Sequence, residues 1–492
     1  MLSVVSRFLL AALVVLAVAS PSASASVRLR GLDAGELLFA ASPPDRVIAG
    51  DLVVAAGTER VFGWPVTGGA VRRLGRLPDL GDASNDILDG GGFVRVEAAQ
   101  AGRVVVVRGE GRAIDQQPDV EAGHHLVGGP PEGPFQDPAG CGERTGGPAG
   151  LRGDLLAYVA APAGEPACVP PAAPAVRGPA IVVRDLAAGA AVVRVIPLAF
   201  DGSVAAMRFD GPFVGLELRT GPEDPNEVPD KPPSRALVVV DVRTGGEVTR
   251  VPVRGSVPWD IGPDGTLLRG RYRQRGATPT CPVRADRLRL HAVGEVAGRA
   301  VAGTPCGVPA PELRAGALMR LARPRPDGRI QIVDRRLDTA TDDEIAVVSG
   351  PLLGGDDRHV VAADATCRNR DARVITVQGR PARPSGPLSC PFRLRAPSTV
   401  RSGRPFTVRV SCPRGCRGAI ELQVLRTRDE TTFGFGPVII DLASGRARTV
   451  RFTLPRNAAL ERPSRGTLTV GVQGPVTPRT TTRRIIVRPA NP

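Results

Sequence analysis

Seven glycines, at positions 50, 92, 153, 211, 265, 316 and 355, each open a short apolar run. Successive starts lie about 40 to 60 residues apart, and no amphipathic helical stretch fills the gaps. A repeated unit of that size limits the possible folds more than any other feature of the chain. One such unit cannot bury its own apolar surface, so the units must pack against one another. With 59 glycines and 49 prolines in 492 residues, long helices are unfavourable.

Hairpins follow the glycine-led runs. Ile181 to Ile196 holds two β-branched runs around a turn at Gly189, and Leu237 to Val251 repeats the plan around Gly245 and Gly246. Val61 to Leu77, turning at Gly68 and Gly69, is an earlier copy. Glycine supplies the positive φ of such turns, and Val and Ile suit a pleated, buried surface.

The segment Val257-Pro-Trp-Asp-Ile-Gly-Pro-Asp-Gly-Thr-Leu-Leu268 resembles the Trp-Ser-Pro-Asp-Gly signature of TolB-like and WD40-like propeller blades. It places three residues, instead of one, between Trp259 and Pro263. Arg325 to Ile332 carries a second Pro-Asp-Gly at a different offset and without the Trp. The resemblance implies an all-β protein whose residues 26–387 form a β-propeller of six to eight blades, about seven. A strand near Glu36-Leu-Leu-Phe-Ala40 is expected to close the ring by completing the last blade.

The two ends of the chain read differently. Arg7, the apolar run Phe8 to Ala19 and the small residues up to Ala23-x-Ala25 form a signal-peptide pattern, with the cut placed after Ala25. The run is too short to span a bilayer comfortably, and no second long apolar stretch follows. The mature chain is therefore expected to be secreted or extracytoplasmic with no transmembrane segment. From about residue 388, seven short strands within a hundred residues suggest a β-sandwich, with Ser444-Gly445 closing a hairpin. Val408 to Leu422, with its Cys-Pro-x-Gly-Cys turn, resembles Ig-like modules of secreted high-GC bacterial proteins. Gly379 to Pro387 is expected to be an exposed linker, because Pro and Gly deny it helix and ladder.

The eight cysteines are Cys141, Cys168, Cys281, Cys306, Cys367, Cys390, Cys412 and Cys416. An even count in an exported chain favours disulfides, and the residues fall into four sequential pairs. Cys412 and Cys416 have three residues between them and no histidine nearby, which is not a zinc pattern.

The net charge of +15 comes from arginine, since Lys231 is the only lysine. The arginines are spread along the chain, and aromatics make up only 3%. That leaves no stacking platform and no basic patch for specific nucleic-acid recognition. Attraction to anionic envelope polymers fits the charge better.

A search for chemistry finds no nucleophile elbow, no His-Glu-x-x-His, no P-loop and no dinucleotide fingerprint. Adjacent His124 and His125 point to opposite sides of an extended chain, and are expected in an exposed loop within the insertion 110–150. His291 and His359 read as structural strand residues. The second insertion is the acidic, proline-rich stretch 222–233. Asp79, Asp82, Asp86 and Asp89 do not follow the EF-hand spacing and are expected in a solvated turn. The run Asp342-Asp343-Glu344 is expected at a charged hairpin tip. No catalytic, cofactor-binding or metal-ligating residue is assigned. The expected function is a secreted, non-enzymatic binding or scaffold protein that presents propeller loops to an extracellular protein, glycan or anionic envelope polymer. The alternative is a propeller-scaffold lyase or glycoside hydrolase, which needs carboxylates converging at the channel mouth.

Overall fold

The computed structural model describes residues 26–33, 48–56, 60–76, 92–100, 103–110, 120–127, 133–134, 148–160 and 180–198, and most of 200–489. The excepted connections in that last stretch include 220–234, 276–280, 385–388, 426–431, 455–462 and 473–478. Every regular element among the described residues is a strand. No described helix is long and apolar enough to cross a membrane.

The first strand, β1 (Ser26–Asp33), stands apart from its sequence neighbours. Six four-stranded sheets then follow in chain order. They are β2 (Ile48–Ala49), β3 (Leu52–Ala56), β4 (Arg60–Pro65) and β5 (Arg72–Arg76); β6 (Gly92–Gln100), β7 (Arg103–Glu110), β8 (Val120–Val127) and β9 (Gly133–Pro134); and β10 (Ala149–Arg152), β11 (Leu155–Ala160), β12 (Ala180–Asp185) and β13 (Ala191–Pro197). The next three are β14 (Ser203–Asp210), β15 (Phe213–Arg219), β16 (Arg235–Asp241) and β17 (Gly246–Val253); β18 (Trp259–Ile261), β19 (Leu267–Arg273), β20 (Arg284–His291) and β21 (Arg299–Ala300); and β22 (Glu312–Arg314), β23 (Leu318–Pro324), β24 (Ile330–Arg336) and β25 (Asp342–Val348). The seventh sheet has β26 (Leu352–Gly355), β27 (His359–Ala365) and β28 (Arg370–Thr376), and takes β1 as its fourth strand.

This is a seven-bladed propeller. Each blade is an antiparallel meander. The first strands of successive blades touch around the axis from the first blade to the sixth, and Arg314 of β22 donates to Gly355 O of β26 in the seventh. Seven apolar clusters fill the seams. One of them joins Leu29 and Val361 of the last blade to Val53 and Trp64 of the first, so the ring is closed. Middle strands are buried on both faces, which is why β15 and β16 read as near-continuous apolar runs. The outer β17 alternates buried and exposed positions. Burial of each such Val, Leu or Ile contributes roughly 1.5–3 kcal/mol, so the seams hold the ring.

The closing strand differs from expectation. β1 pairs with β28 from Ser26↔Ile375 to Leu29↔Ala372, and Glu36–Ala40 lies outside the described residues. Six of the seven leading glycines introduce the second strand of a blade, whereas Gly92 opens an inner strand. His124 and His125 are in β8, opposite Val107 and Val106, and not in a loop, because part of the segment 110–150 is recruited into the second blade. The acidic run Asp342-Asp343-Glu344 begins β25, and the turn ends just before it.

The expected exposed linker is corrected by the contacts of Ala382. Its N–H donates to Ile345 O at 3.0 Å, and its carbonyl accepts from Val347 N at 2.9 Å. Ala382 is buried and bridges Ala346 in parallel. Two prolines flank this segment, but Ala382 keeps the one N–H needed to cover the outer edge of the sixth blade. Burial alone would raise the pKa of Glu344 nearby, but hydrogen bonds from Gln331 and Arg383 outweigh it and hold the carboxyl below its usual range. A depressed carboxyl stabilises the fold above its unfolded pKa and ceases to do so as pH falls through the folded value. Glu344→Gln should therefore lower stability at pH 7, with a deficit that shrinks once pH falls below the ordinary Glu value and disappears below the depressed folded value. Denaturant titrations at several pH values check this, and an equal deficit at all pH values would refute it.

After the ring come β29 (Arg393–Arg395), β30 (Thr399–Arg401), β31 (Pro405–Cys412), β32 (Cys416–Leu425), β33 (Thr432–Leu442), β34 (Arg446–Thr453), β35 (Ser464–Val472) and β36 (Arg479–Arg488). They form a three-stranded sheet, β29-β31-β34, and a five-stranded sheet, β30-β36-β35-β32-β33. The two share one core that includes Val408, Val410, Ile420, Leu468 and Val487. Ser444-Gly445 does not close a hairpin. β33 pairs with β32 and β34 pairs with β31, so the turn carries the chain from one sheet to the other.

Cys281 is bonded to Cys306, Cys367 to Cys390 and Cys412 to Cys416, with Cα–Cα distances of 5.5, 5.4 and 5.8 Å. No described cysteine is free. Cys141 and Cys168 lie outside the described residues. Cys367 sits between β27 and β28 of the last blade, yet it packs in the core of the two-sheet unit, and its carbonyl accepts from Arg417 N.

Candidate functional site

The inner strands carry charges on residues whose side chains meet across the blade seams. Arg152 of β10 pairs with Asp210 of β14 at 3.2 Å. Arg208 of β14 lies 3.5 Å from Asp260 of β18, with its guanidinium 5.4 Å above the centre of the Trp259 ring. Asp260 also accepts from Leu313 N of β22 at 2.6 Å. Arg314 pairs with Glu312 on its own strand and donates to Gly355 O of β26 at 3.0 Å. The series thus links the third blade to the seventh.

Local sequence explains the aim of each side chain. In the short strand β18, Trp259 and Ile261 are buried and Asp260 lies between them with the opposite orientation. Trp259 and Ile261 approach the fourth blade at Gly215, where a Cβ would fall 2.7 Å from Ile261 and 2.9 Å from Trp259. Only glycine permits that approach. The indole N–H of Trp259 donates to Glu217 at 3.2 Å, and Glu217 is neutralised by Arg235 at 2.7 Å. Tyr272 stands near this group, and burial followed by the Glu217 charge raises its pKa.

The centre of the girdle is Arg314. Burial disfavours its charged form, but Glu312, Asp260 and Asp357 outweigh that cost and raise its pKa. Glu312 is 5% exposed. Its Oε1 and the Arg314 Nε are buried atoms without hydrogen-bond partners in the structure. Asp260, Glu312 and Arg314 are therefore the one place among the described inner strands where two carboxylates and a buried arginine converge.

Acid catalysis by a carboxyl needs a raised pKa. Three carboxyls outside the girdle, Asp241, Asp342 and Glu344, are shifted down. For Asp241 the leading cause is its hydrogen bond from Arg243. For Asp342 burial is outweighed by Arg335 and Arg323. Among the described residues no group of three His, Cys, Asp or Glu is placed to hold a metal ion.

The histidines stay apart from the girdle. His291 is fully buried and accepts at Nε2 from Arg269 Nε at 3.0 Å, so Nδ1 carries the proton toward Glu295 O at 3.2 Å. Burial is the main cause that lowers its pKa and keeps it neutral. His359 lies beside Asp356, whose Oδ1 accepts from the backbone N–H groups of Arg358 and His359. Asp79, Asp82, Asp86 and Asp89 lie outside the described residues. Sequence reasoning quoted Asp260 only as part of the Trp259 motif and passed over Arg208, Glu312 and Arg314. The available signal was a charge in each of several very short strands.

No protein-family model matches the chain. No curated protein matches it either. Among solved structures, an acylaminoacyl peptidase from Pyrococcus horikoshii is similar at 11% identity and a TM-score of 0.33, over 74% of this chain. This chain spans 55% of the length of that peptidase. An uncharacterised protein of Listeria monocytogenes is similar at 4% identity and a TM-score of 0.29, over 82% of this chain and 84% of its own. A glycoside hydrolase family 43 arabinoxylan arabinofuranohydrolase from Bacillus subtilis is similar at 11% identity and a TM-score of 0.21, over 91% and 94%. Such distant likenesses decide nothing about activity, and the propeller assignment rests on the strand order.

Proposed function

We propose that this chain is an exported, non-enzymatic binding protein. Its ring acts as a rigid head, and residues 388–492 act as an Ig-like second module. The observation that carries this is that inner-strand charges are tied across successive seams, to opposite charges at Arg152–Asp210 and Arg208–Asp260 and to backbone groups at Asp260–Leu313 and Arg314–Gly355. Charges held in this way brace a frame more readily than they perform proton transfer. Ser26, the residue after the proposed signal-peptide cut, is the first residue of the ring-closing strand, and Arg373 donates to its hydroxyl. Cleavage after Ala25 would leave Ser26–Asp33 whole. Disulfides fit an oxidising compartment. The ligand belongs to the proteins, glycans or anionic polymers found there.

The convergence of Asp260 and Glu312 favours one second reading, a glycoside hydrolase or lyase working at the axis. One experiment separates the two. The chain from Ser26 onward is applied to a glycan array, and the bound glycans are then examined for cleavage. Saturable binding without product is expected, unchanged in Glu312→Gln. Turnover that Glu312→Gln abolishes would establish the enzyme instead.

A further inference from the structure

Residues 388–492 hold nineteen arginines and no lysine against five carboxylates, and so carry nearly all of the net charge of +15. The even spread of arginine expected from the sequence therefore needs correction. Within the ring arginines are balanced by carboxylates, and in the two-sheet unit they are not.

Both sheets share the imbalance: the strands of the five-stranded sheet carry seven arginines against Glu421 and Asp441, and those of the three-stranded sheet carry six arginines unmixed with carboxylates. The strands of the three-stranded sheet contain no Asp or Glu. Their buried positions, such as Val408, Val410, Val450 and Phe452, fill the core. The opposite face presents Arg393, Arg395, Thr407, Arg409, Thr449 and Arg451, all exposed. Arg395 stands directly opposite Arg409, and Arg451 is opposite Thr407. Directly opposed side chains are about 5 Å apart at Cβ, and diagonal ones such as Arg409 and Arg451 about 7–8 Å. Arg393 lies about 7 Å along the strand from Arg395. None of these four arginines forms a salt bridge among the described residues. Like charges opposed across a ladder destabilise a sheet, so this face lacks an internal reason for its composition.

We propose that the outer face of β29-β31-β34 binds a linear acidic polysaccharide. The guanidinium groups take the carboxylates of successive sugars in paired hydrogen bonds, and the Thr407 and Thr449 hydroxyls meet sugar hydroxyls. The face has no aromatic side chain on which nucleic-acid bases stack. It has no large apolar side chain to enter a bilayer; the exposed Ile439 and Ile486 lie on the other sheet. The inference deepens the binding role proposed above, and rests on it, by naming a face and a ligand class.

The test uses the chain from Ser26 onward with hyaluronan as the probe, at low and at physiological salt. Saturable binding that weakens with salt is expected. The double variant Arg395→Ser/Arg409→Ser should weaken it by about tenfold or more, with an unchanged or raised Tm, because the opposed charges are gone. Arg465→Ser/Arg484→Ser removes the same charge from the five-stranded sheet and should retain affinity to within about threefold. An equal loss in both variants would mean that net charge alone is responsible, and would overturn the face. Hyaluronan binding unchanged in Arg395→Ser/Arg409→Ser would overturn the face while leaving the binding role intact. Tighter binding to single-stranded DNA or to anionic phospholipid vesicles, with the same dependence on Arg395 and Arg409, would overturn the ligand class. No binding to hyaluronan would overturn the proposal, and the glycan array then decides the binding role separately.

Discussion

Asp334→Ala is expected to destabilise the ring by about 3–5 kcal/mol, the usual cost of stranding one partner of a buried ion pair. Arg320 is 1% exposed and holds Asp334 through two parallel bonds, Nε to Oδ1 at 2.9 Å and Nη2 to Oδ2 at 3.0 Å. Its remaining nitrogen donates to the carbonyl of Asp356 in the seventh blade. The carboxylate thus aims the guanidinium that ties the sixth blade to the seventh. Without it a positive charge remains in the seam between the sixth and seventh blades, on the face of β23 and β24 where Ala322 and Ile332 pack against Val360 and Ala362. The double variant Arg320→Met/Asp334→Leu should recover most of the loss, since it removes both charges and keeps the volume. Thermal scans at one fixed rate, with urea titrations, make the comparison. A cost below about 1 kcal/mol for Asp334→Ala would mean that water reaches the pair and that it braces nothing.

Loss of the Cys367–Cys390 disulfide is the second large effect. The bond spans 23 residues of sequence, so closing its loop contributes about 3 kcal/mol in the chain-entropy model. Both sulfurs lie in the core of the two-sheet unit, although Cys367 belongs to a connection of the seventh blade. Cys367→Ser/Cys390→Ser should therefore destabilise the C-terminal sheets and leave the ring seams intact. Hydrogen exchange should show early opening of β29 and β31, with β15 and β16 still protected. Removing Cys412–Cys416, which spans only four residues, should cost less, about 2 kcal/mol. Equal loss of protection in ring and sandwich would show that the two unfold together and that the bond stabilises the chain as a whole.

Much of the ring was legible because its information is local. Turn glycines with positive φ, such as Gly189 and Gly245, stand where the hairpins were expected. The apolar runs of β12 and β16 are buried as their composition required. The two Pro-Asp-Gly copies show the limit. Asp264 accepts from Thr266 N and Asp327 from Arg329 N, the same local turn chemistry. Yet one turn joins the first and second strands of the fifth blade, and the other joins the second and third strands of the sixth. Identical local bonds do not state which strands they connect.

The same distinction separates the site from the scaffold. By its glycine period, β-branched runs and turn chemistry, the sequence alone determined an all-β repeat of about seven units, because these act within a few residues. The partner of the closing strand, the docking of Ala382 on the sixth blade and the change of sheet at Gly445 were decided by tertiary structure. So were the meeting of Asp260 with Leu313 and the opposition of Arg395 and Arg409. In each case the physical reason is a pairing between distant segments. Register sets which side chains face each other, and no residue carries in its own neighbourhood the identity of the strand it will oppose.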